Sequence, residues 1–109
     1  MTAEATAGDT HAVRVSWEHP QAWKRLRSVQ VLVRSQGIQI GAVELITASG
    51  KPRATGSVRV AGKVVRHGKR VTATMNLQPA AAFDGKLTLD VLAVDRKGQR
   101  QFEAGVAEI

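Results

Sequence analysis

The segment Leu87-Thr88-Leu89-Asp90-Val91-Leu92-Ala93-Val94-Asp95-Arg96-Lys97-Gly98-Gln99 decides the fold class of this chain. Leu87, Leu89, Val91 and Ala93 recur at every second position, the period of a strand with one buried face. Leu92 and Val94 make the other face partly apolar, which points to a central strand. The run stops at Asp95-Arg96-Lys97-Gly98, with Asp at the first and Gly at the fourth position of a type I turn.

The same pattern recurs in both directions from this segment. Val13, Val15 and Trp17 alternate with Arg14 and Ser16, and Val29, Val31 and Val33 alternate with Gln30 and Leu32. Ile38 and Ile40 are followed by Val43 and Leu45 one residue out of phase, so a β-bulge or bend is predicted at Gly41-Ala42. Val58 and Val60 flank Arg59, and Val71, Ala73, Met75 and Leu77 form a further run. Phe102, Ala104, Val106 and Ile109 close the pattern. Ser49-Gly50-Lys51-Pro52 and Arg66-His67-Gly68-Lys69 read as turns, with Gly68 free to take positive φ. Helical signals are confined to His19–Leu26, where Pro20 can open a turn, and to Pro79–Phe83. Short strands at a spacing of about 8–12 residues predict an all-β sandwich or barrel.

A chain of 109 residues is the length of one domain. Residues 1–10, MTAEATAGDT, have no apolar period and are expected to form a flexible leader; residues 11–109 are expected to form a single β-sandwich domain. The leader lacks the apolar stretch of a secretory signal, and no apolar run reaches the ~18–20 residues of a transmembrane helix. With 14 Val, 16 Ala and 7 Leu against two Trp and two Phe, the core must be built from small aliphatic side chains. Its expected members are Val13, Val15, Trp17, Val29, Val31, Val33, Val58, Val60, Val71, Ala73, Leu87, Leu89, Val91 and Val106. The absence of Cys excludes disulfides, Cys-based zinc sites and a cysteine nucleophile.

The run Phe83-Asp84-Gly85-Lys86 through Asp95, followed by Arg96-Lys97-Gly98-Gln99, resembles the last third of bacterial immunoglobulin-like and fibronectin-type-III-like modules. Val13-Arg14-Val15-Ser16-Trp17-Glu18-His19-Pro20 is similar to their first core strand. The resemblance spans about residues 12–109. It implies an antiparallel immunoglobulin-like sandwich of about seven strands, here without the disulfide, and with Leu87 where such modules often carry the corner Tyr. It also implies a structural or adhesive role, with neighbouring domains of a larger protein or another protein as partners, in an extracellular or cell-surface setting.

Charge supplies the second functional clue. The chain carries 16 Lys and Arg against 9 Asp and Glu. No acidic residue occurs from Leu45 through Phe83, which hold Lys51, Arg53, Arg59, Lys63, Arg66, Lys69 and Arg70. These residues are the candidate ligand-binding site, a surface for a polyanion such as an acidic polysaccharide or nucleic acid. Basic residues on strands also guard sheet edges against aggregation, which is the simpler reading. Residues 45–82 contain no aromatic side chain, unlike the stacking grooves of single-strand nucleic-acid binders. Lys24, Arg25 and Arg27 beside Trp23 form a second basic group, in which Trp23 is expected to pack at the end of the sandwich.

Nothing in the sequence suggests catalysis or a cofactor. His11, His19 and His67 do not share a metal-ligand spacing, and no calcium loop surrounds Asp90 or Asp95. No nucleophile elbow or glycine-rich phosphate loop occurs. The expectation is a non-catalytic domain without metal or cofactor.

Overall fold

The two-residue periods of the sequence resolve into strands that stack as two antiparallel sheets. The computed structural model describes residues 2–7, 12–19, 21–47, 50–79 and 87–108. Among them are nine strands: β1 (Thr2–Ala7), β2 (Ala12–Glu18), β3 (Leu26–Ser35), β4 (Ile38–Glu44), β5 (Arg53–Gly56), β6 (Val58–His67), β7 (Arg70–Pro79), β8 (Leu87–Asp95) and β9 (Arg100–Glu108). One sheet has the order β1-β2-β7-β6 and the other β5-β4-β3-β8-β9. Among the described residues no helix is long and apolar enough to cross a membrane.

The core lies between the sheets. Val13, Val15 and Trp17 of β2 face it together with Val71, Ala73, Met75 and Leu77 of β7. The opposing sheet contributes Val29, Val31 and Val33, then Val43, then Leu87, Leu89, Val91 and Ala93. Each fully buried aliphatic side chain stabilises the fold by about 1.5–3 kcal/mol before the entropy of ordering it. As the apolar pattern of both its faces predicts, β8 is an interior strand, between β3 and β9. Val60 and Val106 are only half-buried against this core. Phe102 lies 54% exposed, its Cα partner being Leu92 on the outer face of β8.

The structure changes several sequence expectations. Thr2–Ala7, assigned to a flexible leader, pairs along its length with β2, from Thr2↔Glu18 to Ala7↔Val13. A backbone ladder needs no apolar period, so composition could not reveal this edge strand. With β5 it raises the strand count above seven. The predicted bulge in β4 falls one residue earlier: Val33 pairs with Gly41 and Arg34 with Gln39, leaving Ile40 as the extra residue. The slip lets Val43 and Leu45 point inward while Ile38 stays exposed. The helical signal at His19–Leu26 yields only a 3₁₀ turn at Trp23–Arg25. Pro79 ends β7, and residues 80–83 of the second helical signal lie outside the described residues, as do Ser49 and Ile109.

Turn chemistry follows the sequence closely. Gly68 takes φ +59° in the two-residue β6–β7 turn. Gly98 N–H donates to the Asp95 carbonyl at 3.0 Å, closing the predicted type I turn.

Asp90 is one of the buried polar residues, with His19, Ser35 and Asp95. On β9, three residues (104–106) oppose the single residue Asp90 of β8, and Gly105 takes φ +62° there. The Asp90 carboxylate occupies this bulge, accepting the Gly105 N–H at 2.8 Å and Arg34 Nε at 2.6 Å. Burial works to raise its pKa, but the Arg34 hydrogen bond, the Gly105 N–H and the Arg34 charge outweigh it and hold the carboxyl below its usual value.

Candidate functional site

Strand direction brings four connections to one end of the sandwich. β2 and β6 end there, at Glu18 and His67, and Arg70 pairs with both residues. β3 begins there, with Leu26 opposite Asp95, and β9 begins there, with Arg100 opposite Val94. The β4–β5 connection joins them: Leu45 N–H donates to the Val29 carbonyl at 2.8 Å, and Val64 N–H donates to the Gly50 carbonyl at 3.2 Å.

These connections are tied to each other through their backbones. His19 N–H donates to the Lys69 carbonyl at 2.9 Å, joining the β2–β3 loop to the β6–β7 hairpin. Arg96 N–H donates to the Arg25 carbonyl at 2.8 Å, and Arg96 Nε donates to the Lys24 carbonyl at 2.7 Å. Arg66 Nη2 donates to the Thr47 carbonyl, fastening β6 to the β4–β5 loop. Asp95 Oδ1 accepts the N–H groups of Lys97 at 2.9 Å and Gln99 at 2.8 Å, which shapes the β8–β9 turn.

The convergence concentrates charge. Lys24, Arg25, Arg27, Lys51, Arg66, Lys69, Arg70, Arg96, Lys97 and Arg100 lie at this end, with Glu18 and Asp95 as its acidic residues. Among the described residues that is ten of 15 Lys and Arg and two of seven acidic residues, leaving five basic against five acidic away from this end. The positive excess of the described residues therefore sits at one pole. Glu18 pairs with Arg70 at 3.1 Å. Lys24, Arg25, Arg27, Lys69, Arg96, Lys97 and Arg100 form no ion pair among the described residues, and all are exposed.

The seven basic residues expected from sequence divide. Lys51, Arg66, Lys69 and Arg70 reach the pole, although Arg66 faces inward to hold Thr47 and Arg70 is engaged with Glu18. Lys63 sits mid-strand opposite Thr74, on the outer face of its sheet. Arg59 lies farther away, opposite Gln78, and Arg53 is on β5 opposite Glu44. Sequence reasoning noticed Lys24, Arg25 and Arg27 but did not join them to the pole, and it missed Arg96, Lys97 and Arg100. A signal was present. In an antiparallel sandwich, alternate connections share an end, so the breaks after β2, β4, β6 and β8 belong together.

A cleft of about 340 Å³ opens at this pole, lined by His19, Gln21, Arg25, Asp95, Arg96, Lys97 and Gln99. Among the described residues no group of three or more His, Cys, Asp or Glu is placed to hold a metal ion.

No protein-family model, curated protein or solved structure matches this chain.

Proposed function

We propose that this chain is a non-catalytic, immunoglobulin-like adhesive module that engages a polyanionic partner through its loop-bearing pole. Two features support the architecture. The order β1-β2-β7-β6 corresponds to A-B-E-D, and β5-β4-β3-β8-β9 corresponds to C″-C′-C-F-G. This is the strand order of variable-type immunoglobulin domains, whose recognition loops are the B–C, C′–C″ and F–G connections. In this chain those connections are the β2–β3, β4–β5 and β8–β9 segments.

The observation that carries the function is the gathering of unpaired cations on the β2–β3 and β8–β9 segments and beside them at this pole. Like charges crowded on a small area disfavour the folded state, and here few carboxylates relieve them. A partner bearing many negative groups relieves the repulsion and gains attraction at every contact. Cations guarding sheet edges would instead be spread along β5 and β6, as Arg53, Arg59 and Lys63 are. A module of a larger bacterial surface protein, as the sequence resemblance implies, would meet acidic polysaccharides in that setting.

Retention on immobilised heparin tests the reading. Replacing Lys24, Arg27 and Lys69 together by Glu is expected to abolish retention at about 0.15 M salt, where exposed charges act within a Debye length of about 8 Å. Replacing Arg53, Arg59 and Lys63 by Glu makes the same charge change off the pole and is expected to leave most of the retention. Equal losses in the two variants would show generic charge and overturn the proposal.

A further inference from the structure

The polar cleft is more selective in its chemistry than the charged surface around it. Its cationic wall consists of Arg25, Arg96 and Lys97. Arg96 is held by two bonds to the neighbouring loop, through its backbone N–H and its Nε, so its guanidinium is pre-positioned. His19 is 7% exposed, and its Nδ1 accepts the Gln21 N–H at 3.1 Å. In the neutral ring that bond leaves the proton on Nε2, which makes the other nitrogen a donor.

The same cleft contains acceptors. Asp95 is 5% exposed, and its Oδ1 is committed to the two backbone N–H groups of its own turn. Its Oδ2 retains acceptor capacity, and the Gln21 and Gln99 amides can both donate and accept. A carboxylate among cations lowers the affinity for a bare phosphate or sulfate through like-charge repulsion. It favours a ligand that brings an anionic group for the arginines and hydroxyl donors for the carboxylate and amides. A sugar acid has both. The volume, about 340 Å³, lies at the small end of ligand sites and suits one ring with part of its neighbour.

We propose that the cleft between the β2–β3 loop and the β8–β9 hairpin binds one acidic sugar residue, a ring carrying a carboxylate and adjacent hydroxyls. This inference rests on the polyanion reading of the pole and names the unit that the pole selects. The carboxylate lies against Arg96 and Lys97, and the ring hydroxyls meet Asp95 and the amides. The exposed cations around the cleft follow the rest of the polymer.

The test is an amide-shift titration of the ¹⁵N-labelled full chain with three probes: a hyaluronan tetrasaccharide, the same tetrasaccharide with its carboxyls reduced to alcohols, and dextran sulfate. Saturable shifts at Gln21, Lys97 and Gln99 with the uronate tetrasaccharide, and none with the reduced one, are expected. Replacing Lys97 and Gln99 by Ala keeps the backbone bonds of the turn; it is expected to weaken uronate binding about tenfold or more, a loss of one or two charge-assisted hydrogen bonds. Dextran sulfate binding should change much less. If dextran sulfate binds the pole and the uronate tetrasaccharide does not, the sugar-acid inference fails and the polyanion reading survives. If neither binds, both fail. Equal binding of the reduced and acidic tetrasaccharides would also overturn the inference, because the cationic wall would then be irrelevant.

Discussion

Arg25 and Arg96 are joined backbone to backbone, the Arg96 N–H donating to the Arg25 carbonyl at 2.8 Å across 71 positions of sequence. The bond places two permanent cations on adjacent loops, beside Lys24 and Lys97. A sandwich needs the backbone bond to close its end, but it does not need arginine at both positions. The repulsion is therefore a cost of the surface rather than of the fold, and it separates stability from binding.

Removing part of that repulsion should stabilise the protein. Lys97→Gln is expected to raise unfolding free energy by a few tenths of a kcal/mol at low salt, the scale of like-charge contacts on protein surfaces. The gain should shrink toward zero in 1 M salt. Paired urea titrations at the two salt concentrations measure it, and a loss of stability at low salt would contradict the account.

The Asp90 clamp predicts acid sensitivity. Its carboxyl is held below the usual value in the folded state, so the unfolded chain binds the proton more readily. The stabilisation is complete above the ordinary carboxylate pKa of about 4 and is lost as pH falls below it. Asp90→Asn should cost about 1–2 kcal/mol at pH 7, the value of a partly solvated charge-assisted hydrogen bond. It should also flatten the decline in stability between about pH 4 and pH 2. Denaturant titrations across that range test both effects.

Gly62 is required by close strand approach rather than by its dihedral angles. A Cβ there would meet the Thr74 carbonyl oxygen and lie 2.6 Å from Met75 Cα, both backbone atoms of β7. Gly62→Ala is therefore expected to destabilise by about 1–3 kcal/mol, the range for overpacking. Gly50→Ala is a useful contrast, because nothing lies within 4 Å and only its φ of +74° opposes the side chain. Its cost should be about 1 kcal/mol. Thermal melts of the two variants should rank Gly62→Ala as the more damaging.

Trp17 is fully buried, and its indole Nε1–H has no hydrogen-bond partner among the described residues. Trp17→Ala should cost about 3–5 kcal/mol through the cavity it leaves. Trp17→Phe should cost much less than Trp17→Ala, because it keeps an aromatic ring and removes the buried polar group. Equal destabilisation by the two variants would show that ring volume is not what Trp17 supplies.

The candidate site was only partly readable before folding. Lys69 and Arg70 stand out in the acid-free stretch and do reach the pole. Lys63 belongs to the same stretch, yet its strand carries it to mid-sheet opposite Thr74. Arg96 and Lys97 lie among Asp90 and Asp95, so their local charge looks balanced. In the structure Asp90 is paired with Arg34 and Gly105 away from the pole, which leaves Asp95, with Oδ1 bound to its own turn, as the one carboxylate of the two beside them. Charge counted along a chain weights neighbours in sequence, whereas the electrostatic field weights neighbours in space.

By itself the sequence determined the all-β class, most of the core and the turns at Gly68 and Gly98, because alternation and turn chemistry act over a few residues. The pairing of Thr2–Ala7, the sheet order and the basic pole were decided only by the tertiary structure. Those features depend on which distant strands share backbone hydrogen bonds. That choice gathers loops some 70 residues apart onto one end, as the bond between Arg25 and Arg96 shows.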